Sequence, residues 1–112
     1  MIEKVILDYL NAELDVPVYM EVPAKHIPER YVVIEKTGSS KSDFLYTAMM
    51  TFKSHAPSMY KAAELNEAVK AAMDNAAILP EISRSQLNSD YNYTDTATKS
   101  YRYQAVYDIW HY

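Results

Sequence analysis

Histidine and serine are the residue types in this 112-residue chain that most readily suggest chemistry, as metal ligands and in phosphate-binding loops respectively. The three histidines, His26, His55 and His111, stand far apart and form none of the HxH, HxxxH or HExxH spacings of metal sites. Because the chain has no cysteine, a thiolate site is not available either. We therefore interpret the histidines as ordinary surface or boundary residues and predict no metal site.

The stretch KTGSSKS, residues 36–42, has the composition of a phosphate-binding loop but not its pattern. It lacks the GxxxxGK[ST] spacing, and no helix pattern begins directly after it. Its small polar residues and the chain's only glycine favour an exposed, flexible loop that becomes ordered against partner proteins. The residues of this predicted partner-contact loop are Gly38, Ser39, Ser40, Lys41, Ser42 and Asp43.

No pairing of a nucleophile with a base and no catalytic carboxylate pair is apparent along the chain. A single glycine also leaves little of the backbone freedom that nucleotide cradles use. We therefore predict a protein that is not an enzyme, with no catalytic residues and no cofactor.

Aromatic residues concentrate in residues 91–112, which hold six of the eleven tyrosines and the only tryptophan. The net charge is −4 with both signs interspersed, so the chain offers no basic groove in which such residues could stack on nucleic-acid bases. Core packing and a protein interface remain as uses for these side chains. Both uses are compatible with one chain.

The elements that must position these residues are two amphipathic helices and five strands, recognised by apolar spacings of 3.6 and 2 residues. A single α+β domain is predicted, with an antiparallel or mixed sheet of about five strands and two helices packed on one face. Acidic residues interrupt the apolar positions of residues 1–15, so we expect neither a signal peptide nor a membrane span there. The predicted helices span residues 2–14 and 58–78, and the predicted strands span 18–22, 30–37, 44–54, 82–93 and 99–110. Ser58 is the predicted N-cap of the second helix, whose predicted inward stripe is Ala62, Leu65, Val69, Ala72, Met73 and Ala76. The predicted buried face of the 44–54 strand carries Phe44, Tyr46, Ala48, Met50 and Phe52.

Two helices can cover only one face of such a sheet, so the other face is either covered by something else or exposed to solvent. A neighbouring copy of the chain is the cover that we favour, although aromatic cross-strand pairs also stabilise hairpins without any partner. The predicted subunit-interface residues are Met49, Thr51, Tyr91, Tyr93, Tyr101, Tyr103 and Trp110.

Three stretches of the chain resemble small tail-completion or tail-terminator proteins of long-tailed phages and of prophages in Gram-positive bacteria. They are VPVYMEVPAKHIPERYVVIEKTGSS, AMMTFKSHAPSMYKAAELNEAVKAAM and the tyrosine-rich last strand. The resemblance runs from about residue 16 to residue 72 and again through the terminal strands. APSMYKAAELNEAVKAAM, residues 56–73, carries most of it and is a fold signature without catalytic residues.

The resemblance implies a structural virion protein that is assembled in the host cytoplasm and forms a ring, a hexamer, at the head-proximal end of the tail tube. Such a ring ends tube polymerisation and docks the tail to the head. Its expected partners are its own copies, the major tail-tube protein and head-tail connector proteins, with no membrane involved. DNA passes through the ring without specific binding, which a weakly acidic chain does not oppose.

Two alternatives remain open at this point. Another neck protein, a head-closure or adaptor subunit, shares the size and the lack of catalytic motifs. A small α+β enzyme or ligand-binding module is the alternative from a different class, in which Tyr101, Tyr103 and Tyr107 would face a cavity.

Overall fold

The computed structural model describes residues 1–112 as one α+β domain with a five-stranded mixed sheet. The strand order is β1-β2-β3-β5-β4; β1 runs parallel to β2, and every other neighbouring pair is antiparallel. The predicted fold class is therefore confirmed. The elements are α1 (Ile2–Glu13), β1 (Val18–Tyr19), β2 (Tyr31–Ser42), β3 (Leu45–Ala56), α2 (Met59–Asp74), a 3₁₀ turn (Ala76–Ile78), β4 (Ile82–Asn92) and β5 (Tyr101–His111).

Both helices form where apolar residues recur once per turn. In α1 the buried residues Ile2, Ile6 and Leu10 fall four positions apart and so lie on one stripe. At the start of α2, the Ser58 hydroxyl accepts a hydrogen bond from the Lys61 backbone N–H at 3.2 Å, as predicted for an N-cap. The stripe predicted for α2 is buried except at the half-buried Ala72, and its last member, Ala76, lies in the 3₁₀ turn.

The core lies between the helices and one surface of the sheet. We call this surface the helix face; on β3 it carries Ala48, Met50 and Phe52, all fully buried. The opposite surface is the open face, and on β3 it carries Met49 and Lys53. Because strand side chains alternate between the two surfaces, the predicted assignment to one buried face is confirmed for Ala48, Met50 and Phe52. Tyr46 shares this face as predicted but is 41% exposed.

Residues 38–42 form the end of β2, so the predicted loop over residues 38–43 was wrong. They pair with residues 45–49 of β3, after a register shift between Lys36 and Gly38. The hydrogen bonds between strands come from the backbone, so small polar residues can form a strand where both surfaces of the sheet are exposed to solvent. The connection shrinks to Asp43 and Phe44, and Asp43 takes the positive φ of 56° that a two-residue hairpin turn requires.

Smaller differences concern the ends of strands. β1 covers Val18 and Tyr19 instead of residues 18–22, because only these two residues pair with β2. Phe44 was expected on the buried side of β3, yet it lies in the turn and is 91% exposed. The terminal hairpin has bounds close to the predicted ones, and the Asp95 carboxylate accepts backbone N–H groups of Ala97 and Thr98 in its turn.

Candidate interaction surface

The open face is a continuous surface of side chains from β2, β3, β5 and β4. The strand register places its residues in rows across the sheet. One row joins Thr47, Trp110 and Arg84, and a parallel row joins Lys53, Gln104 and Tyr91. No helix packs on this surface, because both helices contribute to the core on the other side.

Cations and aromatic rings pair along the β5 and β4 side of the open face. The Arg102 guanidinium lies 4.5 Å from the centre of the Tyr93 ring, and its Nε–H donates to the Tyr93 carbonyl at 2.8 Å. The Arg84 guanidinium lies 4.9 Å from the Trp110 ring in the same manner. These contacts position the two rings beside the guanidinium groups, and Tyr93 remains 49% exposed.

His55 lies at the other side of the open face, stacked on Tyr31 with ring centres 4.5 Å apart and planes 3° from parallel. Its Nε2 atom is buried and has no hydrogen-bond partner. Burial lowers the pKa of His55 below its ordinary 6.5, and the positive charges of Arg102 and Lys53 lower that pKa further. His55 is thus held neutral and serves as a packing aromatic, consistent with its prediction as a boundary residue.

The structure divides the predicted interface residues between the two surfaces of the sheet. Met49, Tyr91, Tyr93 and Trp110 lie on the open face, and Met49, Tyr91 and Tyr93 are more than one-third exposed. Thr51 also points there but is only 3% exposed, and its hydroxyl lies 3.3 Å from that of Thr37 in the same chain.

The two remaining tyrosines of the predicted interface lie elsewhere. Tyr101 and Tyr103 point to the helix face, opposite Ala56 and Ser54 of β3, and are half-buried. The open face therefore gathers five of the seven predicted residues. The sequence did not separate these residues, because alternation along a strand defines two faces without saying which face stays exposed in the folded domain.

A polar network under α2, which the sequence did not reveal, fixes β4 to the domain. Lys70 donates to Asp90 at 2.9 Å and to Glu67 at 2.9 Å, and the buried Asn66 amide donates to Asp90 at 3.0 Å. The hydrogen bond from Lys70 lowers the pKa of Asp90, and the same bond raises the pKa of Lys70. The signal in the sequence was the polar Asn66 within an otherwise apolar stripe of α2.

Tyr107 connects this network to the core. Its side chain is fully buried, and its hydroxyl lies 2.7 Å from the Asp74 carboxylate and 3.1 Å from the Lys70 carbonyl. Burial raises the pKa of Tyr107 well above its ordinary value, and the hydrogen bond to Asp74 raises that pKa further. Tyr107 therefore remains a protonated donor that ties β5 to α2.

The remaining histidines and the surface grooves show no concentration of chemical groups. His26 lies in the segment after β1, and His111 stacks on Tyr46 at 5.4 Å between ring centres. No group of three or more His, Asp or Glu side chains is placed to hold a metal ion. The two largest grooves, of about 500 and 540 Å³, lie between α1 and α2 and beside β1, and neither includes a residue of β5.

Neither the family models nor the curated proteins give a match to the chain. Neither helix is long and apolar enough to cross a membrane.

Proposed function

We propose that the chain is a structural subunit of a phage tail, which assembles with its own copies into a ring at the head-proximal end of the tail tube. There it ends tube polymerisation and joins the tail to the head. The observation that carries this proposal is the open face, a sheet surface that none of the chain's own helices covers and on which Met49, Tyr91 and Tyr93 are exposed. Surfaces of this kind on small domains commonly receive another protein.

The resemblance of residues 56–73 to tail-terminator proteins supports the same proposal. This stretch forms the end of β3, the Ser58 cap and nearly all of α2, and it supplies the core residues Leu65, Val69 and Met73. It is therefore the part of the chain that holds the helix layer on the sheet. A resemblance in this stretch therefore bears on how the fold is built.

A head-closure or adaptor subunit is the closest alternative, because it would use the same kind of surface in the same region of the virion. Binding to tail-tube protein favours a terminator, whereas binding to portal or connector protein alone favours the other neck proteins. A gene position between head-completion and major tail-tube genes fits either role and no unrelated one.

The ligand-binding alternative required Tyr101, Tyr103 and Tyr107 around a cavity. Tyr107 is fully buried, and its hydroxyl is engaged by Asp74 and the Lys70 carbonyl. None of the three tyrosines lines any of the four grooves. The geometry thus gives this alternative no particular support.

The test is assembly of the purified chain, alone and with the major tail-tube protein of the same phage or prophage. We expect a multimer by light scattering during gel filtration, annuli with an open centre in electron micrographs, and shorter tubes when the chain is present during tube polymerisation. A strict monomer that neither binds nor shortens tubes contradicts the proposal. Catalytic turnover that depends on one polar side chain would contradict it as well.

A further inference from the structure

The sheet has two long unpaired edges, and they lie at opposite ends of the strand order. β1 contacts β2 only at Val32 and Val33, so residues 34–42 of β2 have no partner strand on their outer side. β4 is the last strand, so Ile82–Asn92 is unpaired on its outer side along its whole length. We call these the β2 edge and the β4 edge.

Each edge carries only part of the usual protection against pairing. Natural sheets shorten, charge or cover their edge strands, interrupt them with bulges, or place proline in them. No proline occurs in either edge and β4 contains no lysine, whereas the β2 edge carries Lys36 and Lys41 and a bulge between Lys36 and Gly38. Two bulges interrupt β4, but residues 84–87 and 89–92 keep a regular register with β5. These eight regular residues leave a template for another strand.

The direction of the strands makes the two edges complementary. β3 is antiparallel to β2, β5 to β3, and β4 to β5, so β4 runs opposite to β2. When a second copy is placed beside the first in the same orientation, its β2 edge meets the first copy's β4 edge as an antiparallel pair. Both copies then keep their helices on the same side of one continuous sheet.

We infer that copies of this chain associate edge to edge, with the β4 edge of one subunit pairing antiparallel with the β2 edge of the next. The contact is heterologous, so a suitable rotation between copies closes it into a ring. On a free edge every second residue directs both its N–H and its C=O outward, so the eight regular residues of β4 offer about eight backbone hydrogen bonds, within the range of about 10 ± 5 in typical interfaces. The closure into a ring rests on the proposed function, whereas the pairing of the edges can be tested separately.

The register identifies side chains that should approach each other. Ser40 of the β2 edge shares a row with Thr47, Trp110 and Arg84, and it points to the open face. Gln86 and Ser89 of the β4 edge point to the same face one and two rows further along. Cysteines at position 40 and at one of these three β4 positions should therefore come within disulfide distance between subunits.

The experiment mixes single-cysteine variants. Because the chain has no cysteine of its own, any disulfide must join the introduced positions. S40C is mixed in turn with R84C, Q86C and S89C under mild oxidation, and disulfide-linked dimers are resolved on non-reducing gels. E64C, exposed on α2, is the matched control. We expect a mixed dimer between S40C and at least one β4 variant that exceeds the E64C control at least tenfold, with little homodimer of any β4 variant.

The remaining outcomes separate this inference from the proposed function. A multimer by light scattering without any mixed cross-link at the three positions overturns edge pairing and leaves the ring proposal standing. Cross-linked open chains without annuli support edge pairing and contradict the ring. β4 homodimers in excess of the mixed dimer overturn the inference in favour of a two-fold contact. A strict monomer without cross-links overturns both proposals.

A second variant tests the same contact without oxidation. Proline at position 39 removes a backbone N–H from the β2 edge, where the side chain is exposed. If S39P keeps the thermal midpoint of the parent chain and loses the multimer, edge pairing is supported. If it folds and assembles like the parent, the β2 edge is not the contact.

Discussion

Replacing Tyr107 with phenylalanine tests whether the bond between β5 and α2 stabilises the domain. The substitution keeps the ring, its volume and its edge-to-face contact with Phe52 at 5.9 Å, and removes only the hydroxyl. One hydroxyl hydrogen can serve one acceptor at a time, and the Asp74 carboxylate at 2.7 Å is the nearer and the charged one.

The size of the effect follows from that acceptor. Hydrogen bonds to charged groups contribute about 1.5 to 3 kcal/mol. The Tyr107 ring is wholly buried but Asp74 is exposed, so water can hydrate its carboxylate in the variant and the effect should fall toward the lower end of this range. We expect the free energy of unfolding to fall by about 1.5 to 3 kcal/mol. For a domain of this size the thermal midpoint should fall by about 6 to 12 °C.

Urea unfolding followed by circular dichroism measures this difference, with Tyr103→Phe as the matched control. Tyr103 lies on the same strand and the same face, but its hydroxyl makes no hydrogen bond to another group of the chain. The control should change the free energy of unfolding by less than about 0.5 kcal/mol. Equal effects of the two substitutions would refute the reasoning, since the Asp74 contact would then contribute nothing specific.

Three further predictions concern the open face and the hairpin turn. His55 has a lowered pKa, so the unfolded chain takes up a proton more readily than the folded one, and the free energy of unfolding should fall as the pH drops below about 6.5. In urea titrations at pH 7.5 and 5.5, His55→Gln should reduce the difference between the two free energies of unfolding. An unchanged difference would contradict this prediction. Trp110→Ala should weaken self-association in light scattering while costing less than the about 3 to 5 kcal/mol of a fully buried aromatic residue, whereas Tyr60→Ala, 77% exposed on α2, should leave assembly unchanged. Phe44→Ser should leave the thermal midpoint within about 1 °C yet reduce binding to tail-tube or connector protein, and full retention of binding would remove the turn from the partner surface.

The fold was largely accessible from the sequence because its signals are local. The spacing of Ile2, Ile6 and Leu10 predicts α1, and the alternation of Ala48, Met50 and Phe52 predicts the buried side of β3. Ser58 was predicted as the cap of α2 for the same reason, since capping depends on a few neighbouring residues.

The features that were missed depend on residues distant in the chain. Residues 38–42 form a strand only because β3 offers a partner for each of them, and their own polar composition gives no sign of this. The contacts of Asp90 with Lys70 and Asn66 span 20 and 24 positions. Strand alternation separates two faces of β5, but it does not say which face the helices cover, so Tyr101 and Tyr103 could not be told from Trp110.

The network around Asp90 has a consequence for how β4 behaves before any partner arrives. Ile82 is the only buried residue of this strand, so side-chain packing alone would leave most of β4 free to fray. Lys70 and Asn66 instead anchor it from above at Asp90, in the middle of its second regular run. β4 is therefore preorganised for pairing. Association with an incoming strand costs less conformational entropy than it would if β4 had to become ordered at the same time.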